Sequence, residues 1–131
     1  MTFTNHDEIY AQIQKEVNGD SANPIAISQA IVSLAGCLSE VAKVETAARR
    51  AYHATLAARM NENDSQTGKA QSAVKAEAMA KADTVRVGDR EICAYAEAAE
   101  AESEANVIVR QIDALKIAQV AITKSYGGNG Y

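Results

Sequence analysis

Asn61-Glu62-Asn63-Asp64-Ser65-Gln66-Thr67-Gly68 is the clearest break in the chain, eight consecutive residues of the kinds that make turns. Both flanks read as helix. Upstream, Asn23-Pro24 supplies a cap with proline in the first helical position. From Ile27 the apolar residues then fall at Ile31, Leu34, Leu38 and Val41, the spacing of a helix packed along one seam. This predicts a helix over 24–60. Continued at the same spacing, the seam reaches Glu45, Ala48, Tyr52 and Thr55 and turns polar.

Downstream of the break there is no proline, and Gly88 is the only glycine before Gly127, so 68–124 reads as one helix of about 85 Å at 1.5 Å per residue. Its stripe is alanine-rich at Ala94, Ala98, Ala101 and Ala105, then larger at Ile108, Ile112, Leu115 and Ile122. Thr84-Val85-Arg86-Val87-Gly88-Asp89 combines β-branched residues with a glycine and a possible Asp cap, which predicts a kink or a brief break near residue 88. A short helix over 5–18 is expected ahead of these. Asn5 and Glu8 have the capping-box spacing, and Asn18-Gly19 is a stop signal. The glycine-rich end, 125–131, reads as a flexible tail.

The expected fold is therefore all-α: a long antiparallel helical hairpin with a short N-terminal helix, forming one domain over 1–131. A compact antiparallel bundle broken at Gly88 is the alternative. Alanine occurs 27 times, whereas Ile, Leu, Val and Phe total 25 of 131 residues, so a monomer is short of large core side chains. Assembly into a helical homo-oligomer is the expected remedy, burying Ile108, Ile112, Leu115 and Ile122 together with Ile27, Ile31 and Leu34.

Charge and motifs narrow the function. Net charge is −4, which makes nucleic acid an unlikely main partner. No basic leader precedes an apolar stretch, and no run approaches the roughly 20 apolar residues of a membrane span, so a cytoplasmic location without a membrane partner is expected. Cys37 and Cys93 lack metal-type spacing and read as buried thiols. Glu97, Glu100 and Glu104 share a helix face, but neither His6 nor His53 lies three residues after a glutamate, so a di-metal carboxylate site is not expected and the cluster reads as a solvated face. No phosphate-cradling glycine loop and no activated nucleophile are recognisable, so neither an enzyme nor a cofactor is expected.

One constellation stands out. Arg49, Arg50, Tyr52, His53 and Arg59 lie on the polar half of the second helix, with Lys75 across the proposed hairpin. A guanidinium, a phenol and an imidazole within one turn can grip a phosphate and stack on a base. The competing reading is that these cations pair with Glu45 and with acidic residues of the facing helix.

A short capped arm, a helix containing Leu38-Ser39-Glu40-Val41-Ala42-Lys43 and Arg49-Arg50-Ala51-Tyr52, a polar turn, and an alanine–glutamate helix closing in Ile112-Asp113-Ala114-Leu115-Lys116 together resemble small helical-hairpin proteins of tailed bacteriophages. The resemblance spans most of the chain and implies a binding protein of the host cytosol that works without catalysis. Such proteins counter host defence by sequestering a nucleotide-like signal in an oligomer or by binding a host protein, and others assist recombination. The leading expectation is an oligomeric binder of an anionic nucleotide-like ligand gripped by Arg49, Arg50, Tyr52, His53, Arg59 and Lys75. A helical protein-interaction module is the first alternative. The second is an accessory binder of single-stranded nucleic acid.

Overall fold

The computed structural model describes residues 2–19, 23–64 and 66–128, with side chains through 124. Among the described residues the fold is all-α, mostly helical with one small two-stranded sheet. In order the elements are α1 (His6–Asn18), α2 (Pro24–Met60), α3 (Ala73–Ala82), β1 (Val85–Val87), β2 (Arg90–Ile92) and α4 (Ala94–Gly128).

α2 occupies the span that the sequence predicts. Asn23 caps it, its Oδ1 accepting from the Ala26 amide at 2.8 Å, and Pro24 opens the first turn. α1 stops at Gly19, whose amide donates to the Lys15 carbonyl at 3.0 Å. The predicted capping box does not form. Asn5 caps with its backbone carbonyl, which accepts from the amides of Glu8 (3.1 Å) and Ile9 (3.2 Å). Its side chain instead accepts from Cys37 Sγ at 3.7 Å.

The expected single helix over 68–124 is replaced by four elements, α3, β1, β2 and α4. α3 starts at Ala73, because the Ser72 hydroxyl caps the Lys75 amide. It ends at Asp83, and β1 and β2 then form an antiparallel hairpin pairing Val85 with Ile92 and Val87 with Arg90. The two-residue loop Gly88-Asp89 turns at Gly88, whose φ of 61° suits glycine. What reads as a kink is thus a reversal of the chain, and β-branched Val85, Val87 and Ile92 supply the strands on either side. At the other end, α4 continues through Gly128, four residues into the expected tail; residues 129–131 lie outside the described residues.

Two compact units divide the chain, one containing residues up to Val41 and those from Ser103 onward, the other Ala42–Glu102. α2 and α4 each contribute to both. In the first unit the start of α2 is tied to the end of α4 by Gln119 Nε2, which donates to the Pro24 carbonyl at 3.0 Å and to Ser28 Oγ. At the opposite end, Asn5 bonds to Cys37 and the adjacent Thr4 to Glu104, so the two helix segments run antiparallel with α1 against them. Ile27, Leu34 and Val41 of α2, Ile108 and Leu115 of α4 and Ile13 of α1 make the core. This corrects the expected oligomer face, because Ile27, Leu34, Ile108 and Leu115 are fully buried within the unit.

The second unit has a core of Ala48, Ala76, Ala80, Ala94, Ala98 and Ala101, with Ile92 the one large member. Methyl-sized side chains let helix backbones approach toward the short end of the usual 8–10 Å range. That accounts for the fading aliphatic seam in the second half of α2, where the inward position falls to Ala48. The 61–72 turn is organised by Asp64, whose Oδ1 accepts from the amides of Gln66 (2.7 Å) and Thr67 (3.3 Å), while its backbone carbonyl accepts from Gly68 at 2.8 Å.

Leu115→Ala is expected to cost about 2–5 kcal/mol through the cavity it leaves. Val109→Ala, on the exposed side of the same helix, should cost less than about 0.5 kcal/mol. Urea denaturation of the two variants separates these outcomes.

Candidate functional surfaces

The structure spends most of the predicted anion-gripping cations on carboxylates. Arg49 donates to Glu45 at 2.8 Å and to Glu102 at 2.9 Å, and the Glu45 hydrogen bond chiefly raises its pKa. Arg59 makes a two-point contact with Asp83, both distances 2.7 Å, and a third bond to Glu62 at 3.0 Å. Lys75 reaches Asp64 at 2.7 Å. Thus Arg59 and Lys75 fasten the connecting segment and turn of the second unit, whereas Arg49 joins α2 to α4.

Arg50 and His53 are exposed, and Arg50 has no ion-pair partner among the described residues. Tyr52 sits in a ring cluster, 5.5 Å from His53 and 5.2 Å from Tyr95, with the Lys81 ammonium 5.2 Å from the Tyr95 centroid. Tyr95 was not foreseen as part of this cluster, since its position opposite Tyr52 depends on the β-hairpin. Cys37 is buried as expected; Cys93 is half-buried, and its Sγ donates to the Lys81 carbonyl at 3.2 Å.

A polar cluster in the first unit overturns the solvated-face reading of Glu104. This carboxylate is 6% exposed and accepts from the Phe3 amide (2.7 Å), the Thr4 amide (3.1 Å) and Thr4 Oγ1 (2.8 Å). Next to it, buried His6 places Nδ1 2.9 Å from Gln111 Oε1, and Gln111 Nε2 donates to Asp7 Oδ1 at 3.0 Å. With Gln111 Oε1 accepting, the network assigns the proton to Nδ1 of His6. Its Nε2 lies 3.9 Å from Glu104 Oε2. Every member has a partner, so the cluster fixes α1 on α4 without leaving an unpaired buried group. No group of three metal-ligating side chains occurs among the described residues.

The remaining surface is the outward side of α2 in the first unit. Residues 24–39 are sixteen consecutive helical positions without Asp, Glu, Lys or Arg. Ile27, Ala30, Leu34 and Cys37 turn inward, so Ile25, Ser28, Gln29, Val32, Ala35, Gly36 and Ser39 are exposed. Ile25 is 70% and Val32 71% exposed, and a shallow groove of about 540 Å³ is lined by Pro24, Ile25, Ser28, Gln29, Val32 and Ser33. Gly36 has open space where a Cβ would stand, so nothing among the described residues requires glycine there. In a helix interior it costs about 0.5–1 kcal/mol relative to alanine. α4 also exposes Val109, Ile117 and Val120, but these alternate with Arg110, Asp113 and Lys116, an ordinary solvated arrangement.

An 18-residue window of α2 has a mean hydropathy of 1.6, long and apolar enough by composition to cross a membrane, which exceeds the apolar content foreseen for any run. Ile27, Leu34 and Val41 of this helix are fully buried in the first unit, and 28% of that window as a whole is buried. Comparison with protein-family models, with curated proteins and with solved structures gives no match.

Two outcomes check the electrostatics. Glu104→Ala leaves two amides and a hydroxyl without their acceptor, and should lower stability by about 1–3 kcal/mol in urea denaturation. Asp83 is held below its ordinary value chiefly by the Arg59 hydrogen bond. A depressed native value contributes stability that is complete above about pH 4 and is lost as the pH falls through that lower value. Asp83→Asn should therefore be less stable than the parent at neutral pH, with the two urea midpoints converging as the pH drops below about 4.

Proposed function

We propose that this chain is a non-enzymatic helical protein-interaction module that works through the outward face of α2. The observation that carries this reading is the sixteen-residue charge-free helical stretch with Ile25 and Val32 standing in solvent. A solvated helix ordinarily turns charged residues outward, and an uncharged face with two large aliphatic side chains gains by covering. Ser28, Gln29, Ser33 and Ser39 on the same stretch favour a protein partner over lipid, because a helix can return the hydrogen bonds that acyl chains cannot. The resemblance to phage helical-hairpin proteins fits a binding role.

A second reading, an anionic nucleotide-like ligand held on the second unit, rests on exposed Arg50 and on the Tyr52–His53–Tyr95 rings. It has lost the free charge of Arg49, Arg59 and Lys75 to internal partners and is the weaker of the two.

A photo-crosslinking residue placed at Val32 in living cells should give a discrete protein adduct. The same residue at Asn106, exposed on α4, should give none. Absence of any protein adduct from position 32 would overturn the interaction reading.

A further inference from the structure

We infer that the occupant of the α2 face is a second copy of this chain, docked antiparallel about a two-fold axis passing beside Val32. The inference rests on the docking reading and adds the identity and register of the partner.

Two copies of a chain with net charge −4 repel when like-charged surfaces meet, and a two-fold interface sets the same patch against itself. The stretch from Pro24 to Ser39 escapes this penalty, since it carries no charge to oppose its own image. The outward face of α4, with Arg110, Asp113 and Lys116, offers no such run.

Shape supplies the register. Ile25, Val32 and Ser39 recur every seven residues and form the middle line of the exposed face, with Ser28 and Ala35 on one flank and Gln29 and Gly36 on the other. In an antiparallel pair centred at Val32, Ile25 lies over the partner's Ser39 and the two Val32 side chains meet. Gln29 then falls beside the partner's Gly36, and Ser28 beside the partner's Ala35. Away from the central Val32 pair, the two largest flanking side chains, Ile25 and Gln29, each meet a smaller residue. Gly36, unexplained among the described residues of one chain, becomes the site where the other backbone comes close. A parallel pair would stack Ile25 on Ile25 and Gly36 on Gly36, leaving a bulge and a gap. One helix face buries an area at the low end of specific interfaces, so a reversible dimer is expected.

The test combines sedimentation velocity with disulfide trapping in the full chain, on a Cys93→Ser background that retains buried Cys37. The parent should sediment at twice the 13.9 kDa chain mass at high concentration, and Val32→Lys should be a monomer with an unchanged circular dichroism spectrum. Val32→Cys should form a disulfide-linked dimer on oxidation. Ile25→Cys alone should not, since the two copies of residue 25 stand about 21 Å apart along the axis at 1.5 Å per residue. Efficient self-linking of Ile25→Cys would overturn the antiparallel register. A parent chain that stays monomeric overturns the inference, and two further results then separate it from the docking reading. A monomer whose position 32 captures a different protein leaves that reading standing. A monomer that floats with phosphatidylcholine–phosphatidylglycerol vesicles, and loses flotation in Val32→Lys, overturns both.

Discussion

The buried carboxylate of Glu104 is the contact on which the first unit turns. Three donors from Phe3 and Thr4 converge on it and fix where the chain enters α1. Once Thr4 is held there, His6 falls against Gln111 and Asn5 against Cys37, which seats α1 on α2 and α4. A charged group taken out of water is tolerated only when its lone pairs are matched, and here backbone amides do most of the matching. By committing α1 to one side of α2, the same arrangement leaves the other side of that helix to solvent. The exposure of that uncharged face is thus a consequence of how the core is assembled.

The second unit uses its charges differently. Arg59, Asp83, Lys75 and Asp64 hold a polar turn and a short connection in place around an alanine core, a job that larger apolar side chains do in most small domains. Partly exposed ion pairs contribute modestly one at a time, so their value here lies in fixing geometry. A cation engaged in that way has less to offer an incoming phosphate.

Much of the first unit was legible in the sequence. Asn23-Pro24 marked the start of α2, and Ile27, Leu34 and Val41 lay on the predicted seam because large aliphatic residues at helical spacing leave few other arrangements. Glu104 was misread because helical spacing places it with Glu97 and Glu100 on a common face, and only the approach of Phe3 and Thr4, a hundred positions away, buries it. The hairpin was missed although its signals are present: Val85, Val87 and Ile92 alternate with polar residues around Gly88-Asp89. Alanine on both sides outweighed a three-residue strand. As for the candidate surfaces, the charge gap over 24–39 was visible as a string, but inward and outward positions could be separated only once α1 and α4 were in place.

The alanine core of the second unit reverses the usual direction of mutational sensitivity. In most cores the harmful change is truncation, whereas Ala48, Ala76 and Ala101 are fully buried with only a methyl group to lose, and enlarging a packed core side chain is itself costly. Alanine codons convert by single-base changes to valine, threonine, serine, proline, glycine, aspartate or glutamate, and all of these except glycine are bulkier. Random genetic drift at these positions therefore pushes mainly toward overcrowding, so this half of the chain has little neutral sequence space within its core, and its variability among viable descendants should be confined to the solvent-facing positions of the same helices.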